Sequence, residues 1–205
     1  MEATVRDLRS YYEAEAQQRV RGRLRGRRVG LVADFIRVLE REGRRSVIDI
    51  GAGPGLDGEH FVAAGLEYVG VDLALGNAQL AAGRGVTVLH ADLRALPFRP
   101  HAFQAAWSMS TFMHLSAESV GAAVRQMADV LEPGSPMVVG VWGGDYGDVV
   151  SEDGIPGQRR LFSLRSLDRN AALLASGGEI ESTTTWDLGD EEWEYQVFRL
   201  RSTRS

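Results

Sequence analysis

With 205 residues, 44% hydrophobic and 25% charged, the chain has the size and composition of one globular domain with a full core. A net charge of −5 gives no general attraction to nucleic acid, and the absence of cysteine excludes disulfides, thiol nucleophiles and cysteine-ligated metal centres. No apolar run reaches the roughly 18–20 residues that span a bilayer, and the charged N-terminus lacks a signal-peptide core, so a soluble cytoplasmic protein without membrane contact is expected.

Residues 2–18 have helical composition, with Val5, Leu8, Tyr11 or Tyr12 and Ala16 near helical spacing. The stretch 19–28 is strongly basic; it reads as a solvated surface, and it also suits contact with phosphate, carboxylate or RNA. A second helix is predicted over 29–42, where Leu31, Val32, Phe35, Ile36 and Leu39 recur at three- and four-residue steps before Gly43. Strand and helix then alternate: strand 46–50, helix 58–64, strand 67–71, helix 76–82, strand 86–89 and strand 103–108. Helix 115–131, capped by Ser116, is followed by strand 136–142. The connection 143–162 reads as a long irregular loop, suited to substrate. Helix 163–175 and two alternating strands, 180–186 and 193–200, close the chain; their short link predicts an antiparallel hairpin. This order predicts a doubly wound α/β sheet, parallel except for its terminal pair.

In such a sheet ligands lie at the carboxyl ends of the strands. The first strand, Val47-Ile48-Asp49-Ile50, ends in Gly51-Ala52-Gly53-Pro54-Gly55, where missing Cβ atoms let a ligand lie against backbone. Asp49 is a carboxylate inside a buried strand, costly unless hydrogen-bonded, so it is expected to brace the loop amides or serve a ligand beyond them. Asp72, with Leu73, ends the second strand, and a carboxylate there has two oxygens for two ribose hydroxyls. After the third strand, Asp92 suits an exocyclic amine and the Leu93 N–H a ring nitrogen. The fourth strand ends at Ser108. Together these describe a ligand containing one adenosine.

The chain at this point resembles the class I S-adenosylmethionine-dependent methyltransferases. The motifs run in order: 47–55, Val69-Gly70-Val71-Asp72-Leu73, His90-Ala91-Asp92-Leu93, the segment 106–115, and Leu131-Glu132-Pro133-Gly134 before the fifth strand. Gln104 departs from the acid that many relatives carry there. The resemblance implies a Rossmann-like seven-stranded mixed sheet of order 3-2-1-4-5-7-6, helices on both faces, and one domain over 1–205 whose segment 1–28 caps the site. It implies S-adenosylmethionine as cofactor, with S-adenosylhomocysteine as product. The cofactor-binding set is Asp49, Gly51, Ala52, Gly53, Gly55, Asp72, Leu73, Asp92, Leu93, Ser108, Tyr12 and Arg19, and no metal is needed. His114 stands on the acceptor side as the candidate general base. Trp142, Asp145 and Tyr146 follow the fifth strand toward the acceptor. A small-molecule acceptor and a monomer or homodimer are expected. The alternatives are a protein that binds the cofactor without transfer, and a methyltransferase acting on RNA or protein. A dinucleotide reading of Gly53-Pro54-Gly55-Leu56-Asp57-Gly58 is weaker, because Pro54 removes an N–H and the strand ends two residues early.

Overall fold

A computed structural model describes residues 5–18, 26–152, 154–187 and 193–203. The helices are α1 (Val5–Gln18), α2 (Arg27–Glu42), α3 (Leu56–Ala63), α4 (Leu75–Ala82), α5 (Ala117–Asp129) and α6 (Leu167–Leu174). The strands are β1 (Ser46–Ile50), β2 (Glu67–Asp72), β3 (Val88–His90), β4 (Ala106–Met109), β5 (Pro136–Gly143), β6 (Gly147–Ser151), β7 (Arg160–Leu164), β8 (Gly178–Asp187) and β9 (Glu194–Ser202). Seven of them form one sheet in the order β3-β2-β1-β4-β5-β9-β8, while β6 and β7 form a separate pair. With that pair set aside, the order is the expected 3-2-1-4-5-7-6. The first five run parallel, and β9 inserts antiparallel between β5 and β8.

Strand alternation splits the core between the two sheet faces. Ile48 and Ile50 of β1 face the side covered by α5, whose Val120, Val124 and Met127 share one stripe. Val47 faces the side covered by α2 and α3 through Val32, Phe35, Leu39 and Phe61. On that side Trp107 is fully buried, stacked on Phe35 at 5.4 Å and edge-on to Phe61 at 5.6 Å. Gly43 ends α2 at φ 66°, its N–H bonded to the Glu40 and Leu39 carbonyls.

Three expectations need correction. The connection 143–162 is not irregular: β6 and β7 make an antiparallel ribbon, with Val149 opposite Phe162. Only one edge of the ribbon is anchored, through buried Phe162 and Leu164, while most of β6 is exposed. Its apolar alternation is therefore faint. Ser163 belongs to this ribbon, so the following helix begins only at Leu167. The fourth strand proper starts at Ala106; Phe103 contributes a single bridge to Leu131. Among the described residues no helix is long and apolar enough to cross a membrane.

Helix α1 lies over the carboxyl edge of the sheet. Glu13 accepts the Leu75 N–H at 2.6 Å and the Gly76 N–H at 2.9 Å, so its carboxylate caps the N-terminus of α4. Asp7 pairs with Arg159 beside the ribbon at 3.5 Å. Both contacts hold α1 as a roof over the strand ends.

Candidate active site

Under that roof lies a cavity of about 610 Å³, within the roughly 300–1,000 Å³ of small-molecule sites. Its floor is Gly51–Pro54, Asp72, Leu73, Asp92, Leu93 and Met109–Thr111. Its roof is Val5, Leu8, Tyr12 and Glu15 of α1, with Arg160–Phe162 of β7.

The glycine turn is shaped by backbone bonds. The Gly51 and Ala52 N–H groups both donate to the Val71 carbonyl, at 2.8 and 3.0 Å. Gly51 has φ 73°, and a Cβ there would fall 2.0 Å from Thr111 Oγ1, so no other residue fits. Gly53 has φ 56°, and a Cβ there meets no atom within 4 Å. Its open side faces the cavity. Gly55 sits off the cavity lining; its Cβ direction points at Ala81 and Val86, and its role is packing between α3 and its neighbours.

Asp72 ties this turn to the second strand. One carboxylate oxygen accepts the Gly53 N–H at 2.8 Å; the other accepts the Ala74 N–H at 2.9 Å and the Asn77 amide at 3.0 Å. Asp72 thus faces the cavity and braces its floor together. Asp92 also lines the cavity, but the Arg94 side chain forks both its oxygens, at 2.5–3.1 Å. That hydrogen-bonded cation holds the Asp92 carboxyl below the usual carboxylate range. Leu93 lies beside it on the wall.

Besides Gly55, two more of the expected cofactor residues lie off the cavity lining. Ser108 is fully buried and its hydroxyl donates to the Ile50 carbonyl at 2.8 Å, stapling β4 to β1 instead of facing the cavity. Met109, Ser110 and Thr111 reach the cavity instead. Ser110 does so with a left-handed φ of 60°, a strained backbone of the kind found at functional sites. Asp49 lies below the floor, 1% exposed, and accepts the Tyr68 hydroxyl at 2.7 Å, not the loop amides. Burial, with Asp57 nearby, pushes its carboxyl up to about 8. Arg19 lies outside the described residues. Of the residues expected toward the acceptor, Trp142, near the end of β5, lines the cavity, whereas Asp145 and Tyr146 do not, Tyr146 being exposed. Gln104 is spent on the Arg45 N–H and Glu132, far from the site.

His114 follows β4 on a 3-10 turn and is buried. Its Nδ1 lies 2.7 Å from the Leu161 carbonyl, which only accepts, so Nδ1 carries the proton. Its Nε2 therefore accepts the Tyr12 hydroxyl, at 2.7 Å. Burial, reinforced by the Arg160 charge and opposed by the Leu161 carbonyl, pushes the imidazole down to about 4. It is neutral near pH 7, and both nitrogens are engaged. The Tyr12 hydroxyl, not the imidazole, is the polar group of this pair at the roof.

Sequence reading missed four residues of the site. Arg28 forks Asp57 from its Nε at 3.0 Å to each oxygen, and Asp57 also accepts the Trp107 indole N–H at 2.7 Å. Both line the cavity. Arg28 lies in the basic run, and Asp57 stands in the glycine-rich motif just before the expected helix 58–64. Thr111 locks Gly51. Arg160, in the segment taken as loop, lies 4.3 Å from the centre of the Tyr11 ring and 4.6 Å from that of Phe162. Each such cation–π contact contributes about 0.5–2 kcal/mol.

Comparison with known proteins places this geometry. Residues 47–134 match the family described as a methyltransferase domain. The mouse (Mus musculus) "Probable tRNA methyltransferase 9B" is 34% identical over 97 residues, 47% of this chain and 21% of that protein. The "Demethylmenaquinone methyltransferase" of Renibacterium salmoninarum is 30% identical over 95 residues, 45% of this chain and 39% of that protein. The chain thus spans from about a fifth to two fifths of these relatives. Among solved structures, the Burkholderia thailandensis 1,6-didemethyltoxoflavin-N1-methyltransferase, with 1,6-didemethyltoxoflavin and S-adenosylhomocysteine bound, is similar in fold. It has a TM-score of 0.73 at 20% identity, covering 100% of this chain and 94% of that one. Residues 47–134 thus match a methyltransferase domain, and the motifs in order and the sheet order agree with the fold of the class I S-adenosylmethionine-dependent methyltransferases.

Proposed function

We propose that the protein transfers a methyl group from S-adenosylmethionine to a small molecule. The observation that carries this reading is the gathering of three strand ends on one roofed cavity: the glycine turn of β1, Asp72 of β2 and Asp92 after β3. The cradle fits the cofactor: Gly53 offers bare backbone with open space above it, and two acids stand at the adjacent strand ends. Gly51–Gly53 and Asp72 would hold its ribose and amino-acid end, with Leu73, Asp92 and Leu93 beside the adenine. When bound, S-adenosylmethionine supplies a sulfonium methyl already activated toward nucleophiles.

The chain's own part is alignment and exclusion of water. Helix α1 and β7 close the space above the floor. Tyr12 presents its oxygen toward the acceptor region, and His114 fixes it there by accepting its proton in a hydrogen bond. With its imidazole pushed down to about 4, His114 orients the Tyr12 hydroxyl and does not hold a proton near pH 7, so the acceptor enters already ionised or gives its proton to solvent.

The test is twofold. S-adenosylhomocysteine is titrated by calorimetry, and methyl transfer from labelled S-adenosylmethionine is followed against small metabolites and against tRNA. Binding with labelled small-molecule product supports the reading; absence of binding removes it. A tRNA acceptor is the second reading, favoured by the similarity to the mouse probable tRNA methyltransferase. Label in tRNA alone, lost when Arg21, Arg23 and Arg25 are replaced together, would establish it instead.

A further inference from the structure

Arg160 has no part in the steps above, yet it lines the cavity. The other arginines of the lining are paired, Arg28 with Asp57 and Arg94 with Asp92, and Arg159, next in sequence, pairs with Asp7. Arg160 alone of these four lies in no ion pair among the described residues, and its buried Nε has no hydrogen-bond partner. Tyr11 and Phe162 both lie against its guanidinium. Those rings remove water and hold the planar group without neutralising it. Arginine stays protonated at any working pH, so the cavity carries a fixed positive charge whose planar donors match the geometry of an oxyanion.

The wall near that charge is aromatic. Trp142 and Phe162 lie 5.7 Å apart and nearly parallel, at 13°. Tyr12 and His114 complete the same side of the cavity. A flat unsaturated body would lie along such a wall with its charge at Arg160. We propose that the methyl acceptor is a small planar molecule bearing an oxyanion, and that Arg160 determines this specificity by receiving that group. The inference rests on the methyltransferase reading and narrows its acceptor.

The experiment uses the full chain saturated with S-adenosylhomocysteine. Benzoate and phenyl phosphate are titrated as anionic probes, and benzamide as their neutral counterpart. At least one anion is expected to bind about tenfold or more tighter than benzamide, the two anions distinguishing carboxylate from phosphate. Arg160→Gln should abolish the preference, Arg160→Lys should restore part of it, and both should keep affinity for S-adenosylhomocysteine within about twofold of wild type. Equal binding of benzamide, no binding of either anion, or an undiminished preference in a folded Arg160→Gln protein would each overturn the inference. Failure of the wild type to bind S-adenosylhomocysteine would instead remove the function on which it rests.

Discussion

Asp72 holds Gly53, Ala74 and Asn77 and also faces the cavity, so its replacement acts on floor and ligand together. Hydrogen bonds to a charged group contribute about 1.5–3 kcal/mol, so Asp72→Ala should weaken S-adenosylhomocysteine binding by roughly 10- to 100-fold in calorimetry. Unchanged affinity would take the ribose away from Asp72. His114 and Asp49 give opposite pH signatures. The imidazole is depressed to about 4 in the fold against an ordinary 6.5. Between those values only the unfolded chain binds the proton, so this group's stability is complete above about 6.5 and lost as pH falls toward 4. The loss approaches about 3 kcal/mol, and His114→Gln should flatten that part of the urea-melt profile. Asp49 is raised to about 8 from 3.8. Its contribution is full below about 4 and fades as pH rises through 8, because the fold then holds a proton that the unfolded chain has released. Asp49→Asn should therefore gain on wild type between pH 5 and 8; a constant difference would show Asp49 charged throughout.

The elements differ in how much of them the sequence displayed. Strands β1, β2 and β5 were legible because each carries an apolar run that ends at a glycine or an acid. The placement of α1 was not, since helical spacing shows which face is apolar but not what it meets. Its anchor is Glu13, which reads as one more exposed acid until α4 supplies two free N–H groups. The ribbon was hidden for a related reason: β6 is nearly all exposed, and glycine and aspartate interrupt the alternation. Ser108 shows the finest limit. Strand residues alternate sides, so a shift of the end from Ser108 to Met109 hands the cavity to Ser110 and Thr111. The Glu13 cap is directly testable. Glu13→Ala should cost about 1 kcal/mol and speed amide hydrogen exchange along α1, with the exchange of α5 unchanged. Equal exchange in both proteins would mean that Tyr12 and Asp7 hold the roof without it.

At the scale of the molecule, the site exists only when α1, the glycine turn, the β4 turn and the ribbon are assembled, because each contributes part of the lining. A ligand of that cavity binds the folded chain alone. At 100 times its Kd, S-adenosylhomocysteine should add about 2.7 kcal/mol of stability. For a chain of about 200 residues that corresponds to a rise in Tm of roughly 5–10 °C. Two glycines separate ligand contact from backbone strain. Gly53 and Gly65 both have left-handed φ, at 56° and 78°, and at both a Cβ meets no protein atom within 4 Å. Alanine at either position therefore carries a similar backbone cost, about 1–2 kcal/mol, without a clash. Only Gly53 lines the cavity. Gly53→Ala and Gly65→Ala should melt at similar, lowered temperatures, and S-adenosylhomocysteine should restore only the second by the wild-type increment. An equal rise in both variants would mean that the ligand does not lie against the glycine turn, and the assignment of Gly51–Gly53 as the cofactor cradle would fall.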